Sequence, residues 1–190
     1  HSYVSSQNDF LLVRLNADGT LDTSFGGGTG VVTTNVSSND VANTVVLQTD
    51  GKILVGGYAA LNGQDFMVVR YNTDGSLDTS FNGTGIVTTT FGGPAGDMVH
   101  SMVVQPDGKI VVAGEGGNFD LALARYNSDG TLDASFGTAG LVTTNAAAGA
   151  ESILSLVLQA DGKLAAAGYS GNDLVLVRYN SDGSLDTSLG

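Results

Sequence analysis

The chain has 190 residues, 42% hydrophobic and 14% charged, which is enough apolar material for a packed core and excludes disorder. Its formal net charge of −12, with seven widely spaced Lys and Arg residues, excludes nucleic acid as a partner, because phosphate binding needs clustered cations. With 28 glycines, 2 prolines and no cysteine, disulfides and thiolate chemistry are excluded, and short strands joined by tight turns are expected.

Along the chain, residues 14–22 read R-L-N-A-D-G-T-L-D, and the pattern R-[LY]-N-x-D-G-[ST]-L-D returns at 70–78, 125–133 and 178–186. The arginines are 56, 55 and 53 residues apart. Two further series interleave with the first: V-T-T at 32–34, 87–89 and 142–144, and Q-x-D-G-K at 48–52, 105–109 and 159–163. This is the signature of a repeat array.

One unit predicts four strands. Strand A, residues 41–48, meets strand B, 52–58, across Asp50-Gly51, a hairpin signal that makes the two antiparallel. Strand C, 66–71, is apolar without alternation, as expected of a strand covered on both faces. Strand D, 85–90, completes the unit. Strand B carries small central residues, Gly56-Gly57, Ala113-Gly114 and Ala167-Gly168, which imply close approach of a neighbouring backbone. The order along the chain is C, D, then A to D twice, then A, B and C, giving 13 strands. The expected organisation is one repeat domain over 1–190, with a partial repeat at 1–40, repeats at 41–96 and 97–150, and a partial repeat at 151–190.

Four-stranded units covered on both faces by copies of themselves predict an all-β fold of β-propeller blades. Three and a fraction units do not close a ring of 4 to 8 blades. A homo-oligomer completing the ring in trans, or a longer repeat array, is therefore expected. No apolar run nears the roughly 20 residues that span a bilayer, so membrane insertion is not expected; His1, Ser2 and Tyr3 do not open a signal-peptide pattern.

All seven cations are repeat positions, one Arg and one Lys per unit, and of the 19 acids only Glu115 has no counterpart in another unit. Such regularity predicts structural roles. The candidate metal ligands are Asn16, Asp18 and Asp22, and their counterparts Asn72, Asp74 and Asp78, Asn127, Asp129 and Asp133, and Asn180, Asp182 and Asp186. N-x-D-G-x-x-D is similar to part of a calcium-binding loop, but its first ligand position holds Arg14, Arg70, Arg125 or Arg178. The competing reading, which takes precedence here, is that the Arg replaces the ion in a bidentate pair with Asp18 or Asp22 and their equivalents. No cofactor is expected, calcium being the one the pattern could take.

Asp50, Asp107 and Asp161 read as hairpin-turn residues. The glycine-rich stretch 26–30 precedes a strand and lacks a phosphate-loop lysine, so it reads as a turn. His1 and His100 form no dyad, and no nucleophile elbow or Ser-His-Asp set is present, so no enzymatic activity is expected. Phe25, Phe81 and Phe136 read as anchors between blades. In an A-B-C-D meander the B–C and D–A loops share one face. The Lys-to-Arg distance across B–C falls from 18 to 16 to 15 residues and the D–A loops differ in sequence, so this face is expected to bind a partner.

The segments L-A-R-Y-N-S-D-G-T-L-D-A-S-F-G (123–137 with the preceding Leu121) and Q-P-D-G-K-I-V-V-A-G (105–114) make the chain resemble the delta-60 repeat family. That resemblance implies secreted or surface-associated bacterial proteins with propeller-like repeats and no common activity. Departures from the pattern are Leu15 for Tyr, Leu189 for Phe, and Glu115 where Tyr3, Tyr58 and Tyr169 stand. The expected function is a noncatalytic extracellular scaffold with a protein or glycan partner. The alternatives are a carbohydrate-binding propeller using Tyr3, Tyr58 and Tyr169, and an enzyme with a central-channel site near Asp40, Asp97 and Glu151.

Overall fold

A computed structural model describes residues 8–61, 63–146 and 149–188 of the chain; His1, Tyr3 and Leu189, and part of the 145–150 loop, lie outside them. The described residues form thirteen strands: β1 (Phe10–Val13), β2 (Val31–Thr34), β3 (Asp40–Leu47), β4 (Ile53–Ala59), β5 (Asp65–Tyr71), β6 (Ile86–Thr89), β7 (Met98–Val104), β8 (Ile110–Gly116), β9 (Asp120–Tyr126), β10 (Leu141–Thr144), β11 (Glu151–Leu158), β12 (Leu164–Ser170) and β13 (Asp173–Tyr179). The glycine-rich turn at Gly26–Gly28 is a single 3-10 turn. No helix among the described residues is long and apolar enough to cross a membrane.

The strands assemble into four antiparallel meanders, β1-β2, β3-β4-β5-β6, β7-β8-β9-β10 and β11-β12-β13. They pack face to face as successive propeller blades and do not close a ring. Strand A of each blade lies against strand A of the next, β3 on β7 and β7 on β11, so the A strands are innermost. Each A–B turn is closed by the amide of Gln48 donating to the Lys52 carbonyl, at 2.8 Å, with Gly51 at φ 83°. The amides of Gln105 and Gln159 donate to the carbonyls of Lys109 and Lys163 in the same way.

Three apolar layers lie between neighbouring sheets. Phe10 and Phe25 cover Val55, Met67 and Val69; Phe66, Val68 and Phe81 cover Met102, Ile110 and Ala122; Leu121, Leu123 and Phe136 cover Leu156, Leu164 and Ala166. Alternate residues of strand C thus face opposite neighbours, since side chains alternate along a strand. This is why the sequence shows no polar alternation there.

Each A–B pair carries a bulge opposite its central glycine. The register slips between Ala42 and Thr44, Val99 and Ser101, and Ile153 and Ser155, leaving Asn43, His100 and Leu154 unpaired in the ladder. The bulge turns a carbonyl into the partner strand: a Cβ on Gly57, Gly114 or Gly168 would stand 1.8 Å from the oxygen of Val41, Met98 or Ser152. The close approach inferred from the small residues therefore comes from within the blade. Gly57→Ala, Gly114→Ala and Gly168→Ala are each expected to destabilise the fold by about 2 kcal/mol or more, measured by urea denaturation.

Candidate functional site

The repeated arginine lies at the end of strand C, where the chain leaves the sheet for a compact loop. Asn72 and Ser76 pair through the backbone, Gly75 turns at φ 89°, and the Asp78 amide returns to the Arg70 carbonyl at 2.9 Å. The Arg70 side chain then binds three groups. Its Nε donates to Asp78 Oδ2 at 2.7 Å, its Nη2 to Ser80 Oγ at 3.1 Å, and its Nη1 to the carbonyl of Ser128 in the next repeat. Its guanidinium lies 4.5 Å over the ring of Phe81.

Arg14 repeats the set with Asp22, Ser24, the Thr73 carbonyl and Phe25, and Arg125 with Asp133, Ser135, the Ser181 carbonyl and Phe136. The pair is therefore not bidentate: Nε alone meets the acid, and it meets the second acid of the turn rather than the first. The remaining guanidinium nitrogens are used on the serine and on the neighbouring blade.

A lysine from the A–B turn joins the same carboxylate: Lys52 Nζ reaches Asp78 Oδ2 at 2.8 Å, Lys109 reaches Asp133 at 2.9 Å and Lys163 reaches Asp186 at 2.7 Å. With Arg178 on Asp186, every cation of the chain is in an ion pair with a repeat acid. Burial on its own would raise the Asp78 and Asp133 carboxyls, but Lys52 or Lys109, the serine hydroxyl and amide and the arginine hold both far below the usual carboxylate range.

The first acid of each turn serves the turn itself. Asp18 Oδ1 accepts from the Thr20 amide at 3.0 Å and from its hydroxyl at 2.6 Å, and Asp74, Asp129 and Asp182 do the same with Ser76, Thr131 and Ser184. Asn16, Asn72, Asn127 and Asn180 point their amide nitrogens at the hydroxyl of Thr20, Ser76, Thr131 or Ser184. The twelve candidate ligands thus divide into turn-closing groups and arginine partners.

The junction continues beyond the arginine. The amides of Gly26, Asn82 and Gly137 donate to the carbonyls of Asp74, Asp129 and Asp182 in the next repeat at 2.7–2.9 Å. The rings of Phe25, Phe81 and Phe136, all fully buried, press on Gly75, Gly130 and Gly183, where a Cβ would stand 2.8–2.9 Å away. Tyr71, Tyr126 and Tyr179 pair their buried hydroxyls with Thr34, Thr89 and Thr144 of the preceding V-T-T strand. Burial raises these phenols, Tyr179 up to about 12.

These motifs coincide with the segments that define the family. The family model for the β-propeller "Domain of unknown function (DUF5122)" matches residues 1–25, 48–81, 105–136 and 159–189. The chain belongs to this family. The first DUF5122 segment covers β1 and the three that follow each cover strands B and C; each stops at the Phe of the junction, or at Leu189, its sequence counterpart, and strands D and A with the loops between them fall outside. No curated protein matches the chain.

On the opposite face, the acid that opens each strand A is buried and caps the D–A loop. Asp40 accepts from the amides of Val36 and Ser37, Asp97 from those of Phe91 and Gly117, and Glu151 from that of Ala146. The B–C loops end on a carbonyl, of Asn8, Gln64 or Phe119, that accepts the first strand A amide of the next unit. Two exposed apolar side chains stand on these loops, Leu61 at 44% and Phe119 at 47% exposure. Phe119 holds φ 64°, which a bulky residue adopts only under constraint. Phe119 has no counterpart in another unit, so no repeat signal marks it.

A cleft of about 650 Å³ opens at the inner end of the A–B turns, lined by Val46, Gln48, Val104, Gln105 and Leu158. Gln48, Gln105 and Gln159 each bury an Oε1 that meets no donor among the described residues. Nothing in the Q-x-D-G-K spacing marks this. His100, half-buried at its bulge, is held below the usual imidazole range by burial. Glu115 is pushed up by burial and accepts a long hydrogen bond from Tyr169 at 3.4 Å.

Asp78→Asn leaves Arg70 and Lys52 without their carboxylate and is expected to cost about 3 kcal/mol of stability. Asp22→Asn, where no lysine joins and the side chain is 24% exposed, costs clearly less. Because Asp78 and Asp133 have lowered folded-state values, their contribution is complete above the unfolded carboxyl near pH 4 and is lost as pH falls below it. Urea midpoints from pH 7 to pH 2 measure this, and the Asp78→Asn variant should show a flatter profile.

Proposed function

We propose that the chain is a noncatalytic interaction scaffold of the delta-60 repeat type, acting outside the cell or at its surface, whose B–C and D–A loops engage a protein or glycan partner. The observation that carries this reading is the division between the two faces. On the A–B and C–D side, all seven cations and the turn acids are consumed by the repeat's own bonds. On the other side the loops differ in length and sequence, and Leu61 and Phe119 are exposed there on a rigid frame, the usual place for recognition.

Calcium is not required by this reading, since the arginine and the turn hydroxyls already occupy the acids. A chelator should leave the melting temperature within about 1 °C, because a native-state ligand raises it when bound. The loops are tested with a glycan array and a panel of bacterial surface proteins. A ligand bound by the wild type should be weakened at least tenfold by Leu61→Ser with Phe119→Ser, and not by Asp107→Asn on the opposite face. Equal loss from Asp107→Asn would overturn the assignment to the loops.

A second reading, a small polar ligand in the axial cleft, is favoured by the unpartnered Oε1 atoms of Gln48 and Gln105 at its wall. A donor-rich ligand would satisfy them. Loss of its binding in Gln105→Leu, with Phe119→Ser unaffected, would select that reading.

A further inference from the structure

Charge is divided between the two ends of the blades. All seven Lys and Arg residues stand at the A–B and C–D turns, whereas the acids that open strands A and C stand with the B–C and D–A loops, where no Lys or Arg does. The loop face therefore carries negative charge without a cation of its own, so it repels anionic partners and attracts cationic ones. Most of its acids are bonded within the fold: Asp9 and Asp120 accept from Asn35 and Asn145, and Asp40, Asp97 and Glu151 cap the D–A loops.

Glu115 is different. It stands in strand B where Tyr58 and Tyr169 stand in the neighbouring units, and no other unit has an acid there. It is 7% exposed, and its one hydrogen bond among the described residues is the long one from the Tyr169 hydroxyl, at 3.4 Å. A carboxylate so buried normally gathers several donors, because burial without them is costly. Every cation of the chain is already paired with a repeat acid. The Tyr169 phenol is raised by burial and by the Glu115 charge, which nothing nearby compensates. The exposed ring of Phe119 belongs to the same corner of the loop face. Glu115 pairs in the ladder with Leu121, close beyond Phe119, and the Phe119 carbonyl accepts the amide of Glu151 at 2.8 Å, next to Ser152, the ladder partner of Tyr169.

We propose that Glu115 receives an arginine or lysine side chain of a protein partner, its stem lying on the Phe119 ring, so that the loop face recognises a basic protein segment. The inference rests on the loops as the binding face and narrows what they bind. The chemistry is one the fold already uses, since Arg14, Arg70 and Arg125 each join a carboxylate to a phenylalanine ring. A cationic head supplies the donors that Glu115 lacks, and its methylene stem covers apolar surface that Phe119 leaves open. A neutral glycan would leave the Glu115 charge uncompensated, and an anionic one would be repelled. Because the attraction is between charges, added salt weakens it.

The test is fluorescence anisotropy of the full chain with a library of short labelled peptides, each holding one arginine among neutral and apolar residues, and with the same library carrying citrulline instead. Citrulline keeps the shape of arginine and removes its charge. The wild type should prefer the arginine form of its best peptides by about tenfold or more. Glu115→Gln, and Glu115→Tyr, which restores the residue of the neighbouring units, should each lose that preference. Both should melt at or above the wild-type temperature, because a buried charge is removed. Leu61→Ser with Phe119→Ser should weaken both peptide forms, and Asp107→Asn on the opposite face should weaken neither. Weakening by the two serine substitutions with the arginine preference intact in Glu115→Gln would overturn this inference and keep the loops as the binding face. No weakening by the serine substitutions would overturn both. A wild type without arginine preference, equal loss in Asp107→Asn, or a glycan bound more tightly than every arginine peptide and indifferent to Glu115→Gln would each overturn it as well.

Discussion

The structure depends on an arginine that is shared between two blades. A guanidinium next to a low-exposure carboxylate is costly to desolvate, and an ion pair alone returns that cost poorly. Here the cation sits on an aromatic ring, meets a carboxylate through Nε, a serine through Nη2, and a backbone carbonyl of the next repeat through Nη1. Its donors are spread over two repeats, in the fork geometry that lysine lacks. The lysine that joins the carboxylate comes from the A–B turn of the same blade, so one node ties the hairpin, strand C and the neighbouring unit together. The packed phenylalanine beneath it excludes water and leaves room only for glycine in the turn it faces.

This node makes the array nearly one-dimensional. Each unit touches its neighbours through the same layer of apolar residues and the same polar bonds, so stability is set by units and junctions that repeat. All that order lies on one side of the blades. On the other side, the loops are held by a buried acid that caps the D–A loop, by one carbonyl that takes the next strand's amide, and by bonds that differ from unit to unit, such as Asn35 to Asp9 and the Ala95 amide to the Gly117 carbonyl. There the side chains vary from unit to unit, as Phe119 and Leu61 show.

Much of this was legible in the residues. Thirteen strands in the order C, D, A to D twice, then A, B and C follow from three interleaved motifs, because each motif is a turn or a strand end with its own chemistry. The structural use of the cations was legible too, since a charge that recurs every 53 to 56 residues answers to the repeat. The arginine's partners were only half legible: the nearby acid could be named, but its bidentate geometry was wrong, because Nη2 is taken by the serine two residues beyond the acid, and the carbonyl that takes Nη1 lies 56 to 59 residues away. The bulges at Asn43, His100 and Leu154 carry no common side chain, and only the glycine opposite them hints at the carbonyl they redirect.

The sequence by itself determined the strands, the turns and the repeat, since hydrophobic runs, Asp-Gly pairs and αL glycines act over a few residues and need no partner to be read. The tertiary structure decided which carbonyl of the next repeat the arginine's Nη1 reaches and which side of each strand C faces forward. Those outcomes depend on contacts between residues more than fifty positions apart, whose geometry is fixed only when neighbouring sheets pack.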